Sequence, residues 1–145
     1  MWLILDGSTF RRFWSIMVSN SGAAHHMTNN ANNFSNKISY HGHDVVKLGN
    51  DSSIPITDIG SACFTRPQTN IVIHLRQLLH VPTITKNLIS VSKFAKDNDV
   101  FFEFHANQYL VKFQATKQIL LQGKLRDGLC FSSFSSAYHL FCLHC

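Results

Sequence analysis

Charge is scarce in this sequence. Asp, Glu, Lys and Arg make up 14% of its 145 residues, with 13 cations against 8 anions and a formal net charge of +5. A nucleic-acid surface clusters its Lys and Arg. Here the cations are scattered, Arg11-Arg12 being the one adjacent pair, and no direct nucleic-acid binding is expected. Long apolar runs are absent too. None approaches the length of a bilayer span, so no membrane partner is expected. The first 18 residues are rich in Trp, Leu and Ile, but Asp6, Arg11 and Arg12 interrupt them. They lack the order of charged, apolar and small-residue regions that marks a signal peptide. The expectation is a soluble, cytoplasmic chain. In that reducing setting Cys63 and Cys130 are expected as buried thiols rather than a disulfide.

What is present is apolar. Hydrophobic residues account for 45% of the chain, enough for one domain with a real core. Histidine is also plentiful, at nine residues. Zinc sites pair their ligands at Cys-x₂₋₄-Cys or His-x₃₋₅-His spacing in two clusters. His25-His26 and His41-x-His43 do not have that form. Only the end of the chain, His139-x-x-Cys142-x-His144-Cys145, approaches it, and its ligands are too crowded to share one ion easily. No metal and no cofactor is expected. Ser21 also lacks the Gly two residues before it that a serine-hydrolase elbow requires, which argues against a serine nucleophile.

Along the chain the pattern is mostly β. Ile16-Met17-Val18 reads as a strand that breaks at Ser21-Gly22. The Asn-rich stretch from Asn29 to Asn36 favours a loop, since Asn competes for backbone hydrogen bonds, with Phe34 as its anchor into the core. Val45-Val46-Lys47-Leu48 and the segment from Ile54 to Gly60 form a hairpin around Gly49-Asn50-Asp51, with Pro55 near an edge. A turn over Arg66 to Asn70 leads into the alternating Ile71 to Leu75. Leu88, Val91, Phe94 and Ala95 fall at helical spacing, with Ser90 as N-cap and Asp97-Asn98-Asp99 as the stop. A meander follows: Val100 to Phe104, Tyr109 to Phe113, and Ile119 to Leu121. Val18, Ile59, Leu88, Val91 and Phe102 are expected in one core, with Asn20 on a loop at its edge. Asp6, Asp44, Asp51 and Asp58 read as solvated turn residues.

Two motifs carry a family resemblance. Asn20-Ser21-Gly22-Ala23, followed by His25-His26-Met27-Thr28, resembles the Asp-Ser/Thr-Gly-Ala/Ser turn of retropepsins as it occurs in the protease region of copia-type retrotransposon Gag-Pol polyproteins. The segment from His80-Val81-Pro82 to Lys86-Asn87-Leu88-Ile89-Ser90-Val91-Ser92 is similar to a second motif of that family. The resemblance implies a small, closed retropepsin-like β-barrel over residues 14–130, with one short helix near Ser90 to Lys96. Residues 1–13 would be an unmatched leader and residues 131–145 a divergent tail. It also makes the 45–60 hairpin the counterpart of the flap that closes over substrate. His25 and His26 fall at a non-catalytic position, which implies a structural role.

The resemblance assigns the catalytic position to Asn20, with Ser21 and Gly22 bracing the turn. Aspartic proteases use two carboxylates that share one proton, one acting as base toward water while the other stays acidic. Asn20 is an amide with no proton to exchange near neutral pH. The implied reaction is polyprotein peptide-bond hydrolysis, and the implied state of this chain is inactive. The implied partners are a peptide substrate in the ancestral form, and a second copy or an intact protease chain in a dimer. The alternative is a non-catalytic dimerisation or peptide-binding module that keeps the barrel.

Overall fold

The computed structural model describes residues 18–20, 24–47, 51–66, 70–85, 87–126 and 129–131. In chain order the strands are β1 (Val18–Asn20), β2 (His26–Thr28), β3 (Asn36–Ser39), β4 (Val45–Lys47), β5 (Ser53–Pro55), β6 (Asp58–Arg66), β7 (Ile71–His80), β8 (Leu88–Ser90), β9 (Val100–Phe104), β10 (Gln108–Phe113), β11 (Ile119–Arg126) and β12 (Leu129–Phe131). Helix α1 (Val91–Asn98) lies between β8 and β9. Ten strands form one sheet in the order β3-β6-β7-β2-β8-β1-β12-β11-β10-β9, and β4 and β5 pair apart from it. This is the expected mostly-β domain with one short helix. Among the described residues no ladder joins β3 to β9, so the sheet is not closed by hydrogen bonds. Residues 1–13 lie outside the described residues, as does the tail after Phe131.

The helix is set by its ends. Ser90 Oγ accepts the Lys93 amide at 3.3 Å, satisfying one of the orphan donors of the first turn. Asp99 takes the left-handed conformation (φ 52°, ψ 48°) and returns its own amide to the Ala95 carbonyl. Asp tolerates that region better than most residues, which is why the helix stops there. It runs two residues beyond the expected Lys96, and Phe94 buries its inner face.

The Asn-rich loop contains one 3₁₀ turn, Ala31–Asn33, capped by the Asn30 side chain on the Asn32 amide at 2.9 Å. Phe34 is its anchor, 2% exposed and edge-on to the His80 ring. With Phe34 the core gathers Phe64, Ile73, Leu75, Leu78, Ile89, Phe94, Val100, Tyr109 and Val111. The expected core residues are less buried than foreseen, and in β8 the buried position is shifted by one. Ile59, Leu88, Val91 and Phe102 are half-buried, while Ile89 next to Leu88 is fully buried. The Val18 side chain lies outside the described residues. Alternation is also broken in β7. Gly60 pairs with Leu78 but Ala62 with Leu75, so Arg76 and Gln77 together oppose Ser61. Gln77 has φ 51°. This β-bulge moves the buried face from Ile73 and Leu75 to Leu78, breaking strict alternation.

Two further expectations are corrected. Cys63 is buried, but it is disulfide-bonded rather than a thiol. Ser35 Oγ accepts the Cys63 amide at 3.0 Å and faces the sulfur at 3.6 Å. Asp58 is no solvated turn residue. It opens β6, and its carboxylate accepts from His80 Nδ1 at 2.6 Å and lies 3.7 Å from Lys37 Nζ.

Candidate functional site

Strand order places the Asn20 turn. β8 lies between β1 and β2, the two strands that the turn joins. On one side β8 runs parallel to β1, with Val18, Ser19 and Asn20 opposite Leu88, Ile89 and Ser90. On the other it meets β2 antiparallel, with Met27 opposite Leu88. Asn20 is therefore the last residue of a strand, and its ladder partner is the N-cap of α1. The two sequence motifs are adjacent in space. Ser21 and Gly22 lie outside the described residues, as does the side chain of Asn20.

Past the turn the chain alternates. His25 is exposed, His26 is 0% exposed and Met27 is half-buried. His26 Nδ1 accepts the Ser90 amide at 3.2 Å. An acceptor at Nδ1 places the ring proton on Nε2. That atom is buried without a hydrogen-bond partner, and the nearest carboxylate oxygen is Asp97 Oδ2 at 3.9 Å. Burial pushes the imidazole pKa down to about 4, against the opposing pull of Asp97. At neutral pH His26 is an uncharged strut, in line with the structural role implied for it.

One residue further on, Thr28 enters a buried polar knot. Its hydroxyl donates to Asn87 Oδ1 at 2.8 Å and accepts from Asn33 Nδ2 at 2.7 Å. Asn87 Oδ1 also receives the Asn29 amide at 3.1 Å. Nearly every polar atom of the knot is satisfied, which is what permits its burial.

Between the β4–β5 hairpin and the face of β2, β6 and β7 lies a cleft of about 350 Å³. Met27, Val46, Ile56, Ile59 and Leu79 give it an apolar wall, and His25, Tyr40, Asp44 and Lys47 add polar groups. The hairpin pairs Val45–Lys47 with Ser53–Pro55, so the expected returning strand from Ile54 to Gly60 is cut after Pro55 and Asp58 opens β6 of the other sheet. At the hairpin's base the Tyr40 hydroxyl donates to Asp44 Oδ2. That bond raises the phenol pKa above its ordinary value. Sequence reasoning did not gather Tyr40, Asp44 and Leu79 into one site, because the cleft brings together segments remote in sequence. No group of three or more metal-ligating side chains converges among the described residues.

The model for the Pol polyprotein β-barrel domain matches residues 17–100, and the chain belongs to that family. It is 43% identical over 109 residues to the retrovirus-related Pol polyprotein from transposon RE2 of Arabidopsis thaliana. The corresponding protein from transposon RE1 of the same plant is 40% identical over 109 residues. Each alignment covers 75% of this chain and 7% of the relative, so the chain spans a small part of those polyproteins. No solved structure matches.

Proposed function

We propose that this domain is a retropepsin-like module of a transposon Pol polyprotein, which holds an extended peptide segment beneath the β4–β5 hairpin without cleaving it. The observation that supports the reading is the insertion of β8 between β1 and β2. It sets the Asn20 strand end against the α1 cap, with the apolar cleft beginning at His25 and Met27 just past the turn. An extended peptide offers one apolar side chain to such a cleft and its backbone to the polar groups around it.

Cleavage would need a carboxylate pair to activate water. With Asn20 at that position a symmetric dimer carries two amides and no base. General acid–base catalysis contributes about 10²–10⁴-fold, and removing both members of a unit leaves little. The partners of the module are the peptide segment and a second chain, either another copy or an intact protease chain.

The test is cleavage of a pooled peptide library at mildly acidic pH by the natural chain and by Asn20→Asp, with a carboxylate-dyad inhibitor as control. The natural chain should retain peptides in a pull-down and cut none. Inhibitor-sensitive cleavage by the natural chain would overturn the claim that Asn20 disables it.

A further inference from the structure

We propose that His26 is the positioning residue for the strand end that carries Asn20: its imidazole takes the place of a missing strand partner and fixes the backbone of Ser90, on which Asn20 is registered. The functional consequence rests on the peptide-holding reading above, but the geometry does not.

The β2–β8 ladder is short. Its one register pair is Met27 with Leu88, so by the level of Ser90 the β2 backbone no longer faces β8. A buried amide left without an acceptor is costly, and a backbone carbonyl is the usual solution. Here the acceptor is a side chain. His26 Nδ1 receives the Ser90 N–H at 3.2 Å from a residue 64 positions away. On its other side β8 pairs with β1, where Asn20 is opposite Ser90. The Ser90 hydroxyl is engaged with the Lys93 amide. One imidazole therefore links β2, which follows Asn20 in the chain, to the end of β8, which is paired with Asn20 and caps α1.

The arrangement works only with neutral His26. A proton on Nδ1 would turn the acceptor into a donor facing the Ser90 N–H. The groups acting on the ring are Asp97 and Lys93 of α1 and the adjacent His25. From β7 its ladder partner is Leu78, and β8 presents Ser90, neither of which titrates near neutral pH. Burial dominates these and holds the ring neutral down to about pH 4.

The test is NMR and amide hydrogen exchange on the full chain, with His26→Leu and His26→Asn as variants. In the natural chain His26 should be the Nε2–H tautomer, and Ser90 protection should fall as pH drops through the imidazole titration. His26→Leu removes the acceptor and should cut Ser90 protection by roughly tenfold or more. His26→Asn offers a carbonyl oxygen instead, so it should keep most of that protection and lose its pH dependence. An Nδ1–H tautomer, or Ser90 protection in His26→Leu equal to that of the natural chain, would overturn the proposal. If His26→Leu does not fold, the tautomer and the pH response of His26→Asn decide the question. None of these readouts depends on peptide, so failed peptide retention would count against the proposed function alone.

Discussion

Thr28 and Asn87 are 59 positions apart in the chain, yet the Thr28 hydroxyl donates to Asn87 Oδ1 at 2.8 Å in the buried interior. The bond joins the exit of the Asn20 turn to the entry of β8. Three residues on, at the end of β8, Ser90 receives a second tie from the same segment, through His26. These two ties run between segments that make few backbone bonds to one another, since β2 and β8 share a single register pair. Side-chain chemistry fixes what the ladder leaves loose.

Removing the Thr28 hydroxyl while keeping its shape tests the first tie. Thr28→Val leaves the Asn33 Nδ2 donor unpaired in a buried place and takes one of two partners from Asn87 Oδ1. A buried polar group without its partner costs about 1–3 kcal/mol. The unfolding free energy should fall by that amount, read as a lower urea midpoint at an unchanged m-value, since the exposed surface of unfolding stays the same. An unshifted midpoint would show that the knot contributes nothing net.

Stability should fall on acidification, in a window that His26 sets. Its pKa is lowered from 6.5 to about 4 by burial, so between those values the unfolded chain binds a proton that the folded chain refuses. Stability therefore rises with pH across that window, and acidification through it removes about 3 kcal/mol. Asp58 acts in the same sense lower down. Its carboxyl is held below the ordinary 3.8 first by the hydrogen bond from His80, with Thr57 and Lys37 adding to it. That contribution is present above 3.8 and is lost as pH falls through the folded value. Chemical denaturation at stepped pH should give a slope that flattens above 4 in His26→Asn and below 4 in Asp58→Asn.

Gly60 is a position where only hydrogen fits. A Cβ there would run into the Asn36 carbonyl oxygen, with Lys37 Cα and the Phe34 ring both at 2.8 Å. Two of these neighbours are backbone of β3, so relief requires parting the β3–β6 ladder. Gly60→Ala should destabilise by about 1–3 kcal/mol, the range for overpacking a tight site, and lower the thermal midpoint accordingly.

Much of this architecture could be read from local chemistry. The Ser90 cap and the pairing of Val45–Lys47 with Ile54 and Pro55 depend on neighbours in sequence and formed as expected. Phe34 is buried as foreseen, but of the expected Asp97-Asn98-Asp99 stop only Asp99 lies beyond the helix. The phase of the core did not follow from alternation. The Gln77 bulge resets the buried face in β7, and Leu88-Ile89 offers two adjacent apolar residues in a strand too short to choose between them. The site divides in the same way. That a strand leads up to Asn20 was legible. Its registration on Ser90, the His26 and Asn87 ties, and the residues lining the cleft were not, because all are contacts between residues remote in sequence. Ser21 and Gly22 lie outside the described residues.

Among the described residues the β4–β5 hairpin stands apart from the main sheet, and Tyr40 should control its opening. β4 and β5 pair only with each other, apart from the ten-stranded sheet. The Tyr40 hydroxyl binds Asp44 just before β4 begins, while the Tyr40 amide is bonded to the Thr57 carbonyl ahead of β6. One residue thus joins the base of the hairpin to the sheet through its backbone and holds the rising strand through its side chain. Tyr40→Phe keeps the ring and the backbone bond but releases Asp44. Local opening is governed by the few bonds that tie a segment down, so amides of β4 and β5 should exchange faster while those of β6 and β7 do not change. The pair is exposed, so global stability should hardly move. The variant should also lose the raised phenol titration, and Asp44→Asn should reproduce the exchange effect with the tyrosine still present. Equal exchange in all three proteins would mean that the cleft contacts of Val46, not the Tyr40–Asp44 bond, hold the hairpin down.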